Sequence, residues 1–369
     1  MTTIAFYGSS LLSSYWNGAA TYYRGIIRAL HDRGYRVTFY EPDAFDRQSH
    51  RDIDAPDWAR VVVYPATPEG VSSVLDDGAG ADVMIKASGV GVHDDLLLTG
   101  MLEKALPETV RIFWDVDAPA TLAALKSASA PALRQALPAL DAVLTYGGGN
   151  AVVAEYRALG ARDCVPIYNA LDPATHFPVA PEPRFAADAS FLGNRLPDRE
   201  ARVEAIFFDA ARRLPDARFL LAGSGWEPDR LPKNVRHIGH VRTADHNAFN
   251  ASALAVVNIA RDAMAAVGFS PATRVFEALG AGACLITDEW QGLEMFVEPG
   301  REILTVRDGV DLAHLLSALT PERAAEIGRA GRQRILADHT YADRAAILTA
   351  RLAALQSART FLNPTGTTA

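Results

Sequence analysis

The feature that most constrains this chain is a rhythm: short apolar runs alternate with helix-period segments from one end to the other. That pattern belongs to parallel sheets covered by helices on both faces, whose strands are buried on both sides. Two such series are present. The first places strands at 4–7, 37–40, 61–64, 83–86, 111–114, 142–146 and 164–168, and a first helix at 18–33 that Gly34 stops. The second places strands at 189–192, 218–222, 235–238, 254–259, 284–287 and 303–306. Between the two series, Pro173, Pro178, Pro181 and Pro183 rule out a helix or a central strand.

The expected organisation is therefore an α/β chain of two Rossmann-like, doubly wound domains facing a cleft: a first domain over 1–172, a Pro-rich linker over 173–187 and a second domain over 188–340. A final amphipathic helix over 341–360 follows the last strand with no strand to feed. From Asn363 onward the chain reads as a disordered tail. At 369 residues and 49% hydrophobic, both domains have material for a core.

Composition excludes several classes. No run approaches the roughly 18 apolar residues of a membrane span, and no basic region precedes an apolar one at the start, so a cytoplasmic location is expected. A net charge of −8 argues against a nucleic-acid surface. Cys164 and Cys284 fall in separate apolar strands and read as small core residues. No cluster with metal-ligand spacing is visible, and no cofactor is expected.

Ligand candidates concentrate at strand ends, where doubly wound sheets bind. The first strand feeds Gly8-Ser9-Ser10 and Asn17-Gly18, small residues that let a phosphate approach a helix start. The same unit ends its second strand in Glu41, like a dinucleotide-binding fold, but the G-x-G-x-x-G spacing is missing. In the second half, Gly193-Asn194-Arg195 with Arg199, Gly223-Ser224-Gly225-Trp226, and Arg261 follow strands. Ser270 and Pro271 look like the N-cap and first residue of a helix carrying Arg274 and Glu277. Amides and dipole there suit a diphosphate, Glu277 suits ribose hydroxyls, and Trp226 suits a wall for the base. In the first half Asp115 and Asp117, two apart after a strand, are base candidates. Lys86, Ser88 and His93 are acceptor-binding candidates.

Through Asn258, Arg274-Val275-Phe276-Glu277, Gly282, Gly292 and Glu302, the chain resembles the GT-B glycosyltransferases, specifically the CgeB-like spore-maturation group related to family 4. Phe113 to Pro119, Thr145 to Gly148 and Asn169 to Pro173 extend the likeness to most of the chain. The resemblance implies metal-independent transfer from a nucleotide diphosphate sugar on the second domain, 188–340, to a sugar, protein or small-molecule acceptor on the first, 1–172, with the last helix, 341–360, crossing back onto the first domain. It assigns phosphate contacts to Gly193 and Arg195 and the ribose to Glu277. Family 4 enzymes carry another glutamate eight positions before that one, where this chain has Phe269. Two rivals share the fold: a sugar-nucleotide 2-epimerase, and a non-catalytic protein that binds the nucleotide sugar or a partner.

Overall fold

The computed structural model describes residues 1–15 and 17–362; the tail from Asn363 lies outside them. It has two compact units, one of Met1–Tyr168 with the chain from Tyr341 onward, the other Asn169–Thr340.

The first unit is built on β1 (Thr3–Tyr7), β2 (Arg36–Asp43), β3 (Arg60–Pro65), β4 (Val83–Ala87), β5 (Val110–Asp115), β6 (Ala142–Thr145) and β7 (Cys164–Pro166). They form one sheet in the order β3-β2-β1-β4-β5-β6-β7, each pairing parallel. The strands β8 (Ala187–Leu192), β9 (Phe219–Ala222), β10 (Val235–His237), β11 (Ala253–Asn258), β12 (Leu285–Asp288) and β13 (Leu304–Val306) give the second unit the order β10-β9-β8-β11-β12-β13. The strand order reverses beside β1 in one sheet and beside β8 in the other. At such a switch point the flanking loops diverge and leave room for a ligand at the carboxyl ends.

Apolar matter fills both faces. In the first unit the helix Ala20–Asp32 buries Tyr22, Tyr23, Ile26, Ile27 and Leu30 against the sheet, each contributing about 1.5–3 kcal/mol. Its polar tips are satisfied: Tyr22 Oη donates to the Ile167 carbonyl at 2.6 Å and accepts from Trp114 Nε1 at 3.0 Å. Gly25 leaves room for the ring of Tyr341, so the last helix, Tyr341–Leu362, packs on the first. Arg359 clamps its far end to Asp141 at 2.8 Å. In the second unit Phe191, Phe207, Phe208, Phe219 and Trp226 form the centre of the core.

The stretch 173–187, expected as a linker, is part of the second unit. Phe185 is buried against Phe249, Glu182 N donates to Ser252 Oγ at 2.8 Å, and Phe177 N to Asn247 Oδ1 at 3.3 Å. The boundary also moves from 172 to Asn169, because Leu171 N donates to the His339 carbonyl at 2.8 Å. Cys164 and Cys284 are free thiols, and burial pushes both up to about 12. No helix among the described residues is long and apolar enough to cross a membrane.

Candidate functional site

In the second unit the loops after β8 and β9 are zipped backbone to backbone. Gly193 N donates to the Ala222 carbonyl and Arg195 N to the Ser224 carbonyl, both at 2.9 Å, while Asn194 Oδ1 accepts from Ser224 N at 2.9 Å. Gly223 has φ +121°, and a Cβ there would meet the Gly193 carbonyl, so only glycine fits. Trp226 is not a wall for a base: its ring is buried against Phe191 and Phe208, and its Nε1 donates to the Gly193 carbonyl at 2.8 Å. Gly223 to Trp226 therefore act as scaffold, while Gly193 and Asn194 shape the loop in front of Arg199.

Arg199 stands over the ring of Phe191 and donates to the Asn194 carbonyl. Its Nε has no hydrogen-bond partner among the described residues. Burial lowers this guanidinium to about 10, with Arg261 and Arg274 adding to the fall against the pull of Asp198. At neutral pH it stays charged. Three guanidiniums thus share one region, and their carboxylate partners are few. Arg261 Nε donates to Asp198 Oδ2 at 2.6 Å, and Arg274 Nη1 lies 3.1 Å from Glu277 Oε2 with its Nε unpartnered among the described residues. Arg195 differs, because Glu227 at 2.6 Å and Glu200 at 2.8 Å neutralise it.

The helix expected to begin at Pro271 with Ser270 as its cap starts two residues later, as Thr273–Gly280, and no side chain caps it. Ser270 Oγ instead donates to the Gly268 carbonyl at 2.8 Å, and Asn169 Nδ2 reaches the Pro271 carbonyl at 2.9 Å. Gly268 and Phe269 both have positive φ, which breaks the chain ahead of the helix. The ring of Phe269 packs where Gly292 lacks a Cβ. Glu277 does not line an open cleft. It is buried, one carboxylate oxygen on Arg274 and the other 3.9 Å from His176 Nε2. Burial alone would raise its carboxyl, but Arg274, His176 and His246 outweigh that and hold it below the usual range. No metal-ligand cluster was expected from the sequence, yet one ligand atom each of His176, His246 and Glu277 lies within 4.8 Å of the others.

In the first unit Asp115, Lys86, Ser88 and Glu41 are each engaged by neighbouring groups. Asp115 is fully buried and accepts from Tyr156 Oη at 2.5 Å, Thr121 Oγ1 at 2.8 Å and Asp117 N at 3.0 Å. Burial raises its carboxyl despite those donors. It anchors the start of the helix Ala118–Lys126 and is not placed to take a proton from an acceptor, and Asp117 sits at the residue before that helix. Lys86 is buried on Asp94, Ser88 Oγ accepts from Val116 N at 2.8 Å, and His93 is exposed with φ 49°. Glu41 accepts from Ser10 Oγ and the amides of Leu11 and Leu12, so this strand-end acid organises a loop. Gly18 is exposed, with open space where a Cβ would stand, so it relieves no packing.

Residues 199–350 match the family model described as glycosyl transferase-like. Sucrose-phosphate synthase from Thermosynechococcus elongatus superposes with a TM-score of 0.71 at 16% identity, covering 97% of this chain and 100% of that one. Anabaena HepE in complex with UDP and glucose gives 0.67 at 14%, covering 96% and 100%. An alpha-glucosyltransferase in complex with UDP-glucose and DNA containing an abasic site gives 0.70 at 10%, covering 96% and 99%. No curated protein matches the chain. The chain has the GT-B fold of these structures, two parallel-sheet Rossmann-like units.

Proposed function

We propose that this chain is a glycosyltransferase whose nucleoside diphosphate sugar is held on the second unit, its diphosphate by Arg199, Arg261 and Arg274. The observation that carries this reading is the gathering of Arg199, Arg261 and Arg274 in one region, with the Nε of Arg199 and of Arg274 unpartnered among the described residues. Buried donors without acceptors are costly, and a diphosphate supplies several acceptor oxygens and the missing negative charge. The match of 199–350 to a glycosyl transferase-like family supports it, because those residues include all three arginines.

In glycosyl transfer the leaving group is the nucleotide, and charge grows on its phosphate oxygens as the bond to the sugar breaks. Guanidiniums fixed before the reaction stabilise that charge without reorganising. Arginine takes the place a divalent cation fills elsewhere, which makes transfer independent of magnesium or manganese. Glu277, its Oε2 on Arg274, holds that guanidinium. A ribose role would require the helix to release its carboxylate. UDP-glucose is the first donor to try, since solved neighbours are named with it. The acceptor, a sugar, protein or small molecule, is assigned to the first unit, and Arg274-Val275-Phe276-Glu277 supports a place in the CgeB-like group. A cytoplasmic location completes this reading.

A donor screen tests it. UDP release from UDP-glucose, or nucleotide release from another donor, that rises on adding an acceptor supports transfer. Isomerised donor with no acceptor dependence indicates the epimerase, and binding without turnover indicates the non-catalytic protein.

A further inference from the structure

His176, His246 and Glu277 lie 70 and 31 residues apart along the chain and meet in the second unit. Thr175 Oγ1 lies 3.3 Å from the Asp172 carbonyl and 3.0 Å from His176 Nδ1, so the first nitrogen of that ring is engaged. His176 Nε2 faces Glu277 Oε1 across 3.9 Å, too far for a hydrogen bond. His246 has a backbone hydrogen bond to Val241, while its buried Nδ1 has no partner among the described residues. One ligand atom from each histidine and one carboxylate oxygen therefore converge, all within 4.8 Å of one another.

We propose that His176 Nε2, His246 Nδ1 and Glu277 Oε1 form a site for one divalent cation of the zinc class. Imidazole with carboxylate selects such a metal over magnesium or calcium. Bonds of about 2.0–2.2 Å at tetrahedral angles put ligand atoms about 3.4 Å apart, so the 3.9 Å gap between His176 and Glu277 closes by about half an ångström and the widest gap, within 4.8 Å, by at most about 1.4 Å. Water takes the fourth position. The supporting shell is in place: Thr175 orients His176, and Arg274 holds the second oxygen of the carboxylate. The metal ties the turn at Asp172 to His176, the start of the helix His246–Ser252 and the helix Thr273–Gly280 into one rigid piece. Metal binding to the folded state alone raises its stability by mass action.

The test uses untagged full-length protein stripped with a strong chelator and titrated with zinc, then with cobalt as the spectroscopic probe. One equivalent of zinc bound at micromolar or lower Kd, a rise in Tm with zinc, and the intense visible bands of four-coordinate cobalt are expected. His246→Ala should weaken binding at least a hundredfold, and His246→Asn, closer in size, serves where the alanine variant misfolds. No stoichiometric binding, or equal binding by wild type and the His246 variants, overturns the proposal. UDP titrated in parallel separates the two readings: lost zinc binding with intact UDP binding sinks the metal site alone, and the reverse sinks the donor site alone.

Discussion

The carboxyl ends of the two sheets share one strand order and differ in how their polar groups are paired. In the first unit two acids near strand ends are engaged: Glu41 by Ser10, two amides and Gln48, and Asp115 by Tyr156, Thr121 and the Asp117 amide. In the second unit cations gather and donors stay open, at Arg199 Nε and Arg274 Nε. A closed network stabilises its own loops. An open one of single sign is poised for a partner of opposite charge. A shared order of six strands thus carries two differently paired ends, and the side chains distinguish them.

Substitutions can break or sharpen this comparison. The largest effect is expected from Gly223→Ala, whose methyl group meets the Gly193 carbonyl at a φ closed to other residues. A loss on the order of 3 kcal/mol or more, read by urea denaturation, would confirm the zipped loops as scaffold, and an unchanged midpoint would refute it. Asp115→Ala should cost about 2–3 kcal/mol, since it strips a buried carboxylate from three donors. UDP affinity should not move, and a variant equally stable but tenfold slower in transfer would restore Asp115 as a base. Gly25→Ala, which drives a methyl group into the Tyr341 ring, should cost about 1–3 kcal/mol. Faster hydrogen exchange in the last helix is the readout. Omitting magnesium and manganese should leave the transfer rate within twofold, and an absolute requirement would remove the arginines from their assigned part.

Much of the fold was legible because a parallel strand buried on both faces writes itself as an apolar run, as β1, β4, β9 and β12 do; each of β1 to β13 overlaps a strand expected from the sequence, the edge strand β10 with its exposed Arg236 included. The last helix was legible from its place after the final strand. What failed was whatever depends on a loop's path. Ser270-Pro271 has the composition of a helix start, but the positive φ of Gly268 and Phe269 and the hydrogen bond from Asn169 to the Pro271 carbonyl delay the helix to Thr273. Trp226 follows a tight turn like a pocket residue, yet its ring completes the core. Burial of Asp115 and Glu277 had no local signal, because Tyr156, His176 and His246 reach them from distant segments. Arg199 and Arg274 were visible as candidates, but their shared field was not.

The central claim is that the arginine group receives a diphosphate, and calorimetric titration of UDP into wild type, Arg199→Ala and Arg195→Ala tests it most directly. A charge-assisted hydrogen bond to a buried guanidinium contributes about 1.5–3 kcal/mol. Arg199→Ala should therefore weaken binding about ten- to a hundredfold. Arg195→Ala, already neutralised by Glu200 and Glu227, should change it less than about twofold. Equal affinity of wild type and Arg199→Ala, or a larger loss at Arg195 than at Arg199, would contradict the account.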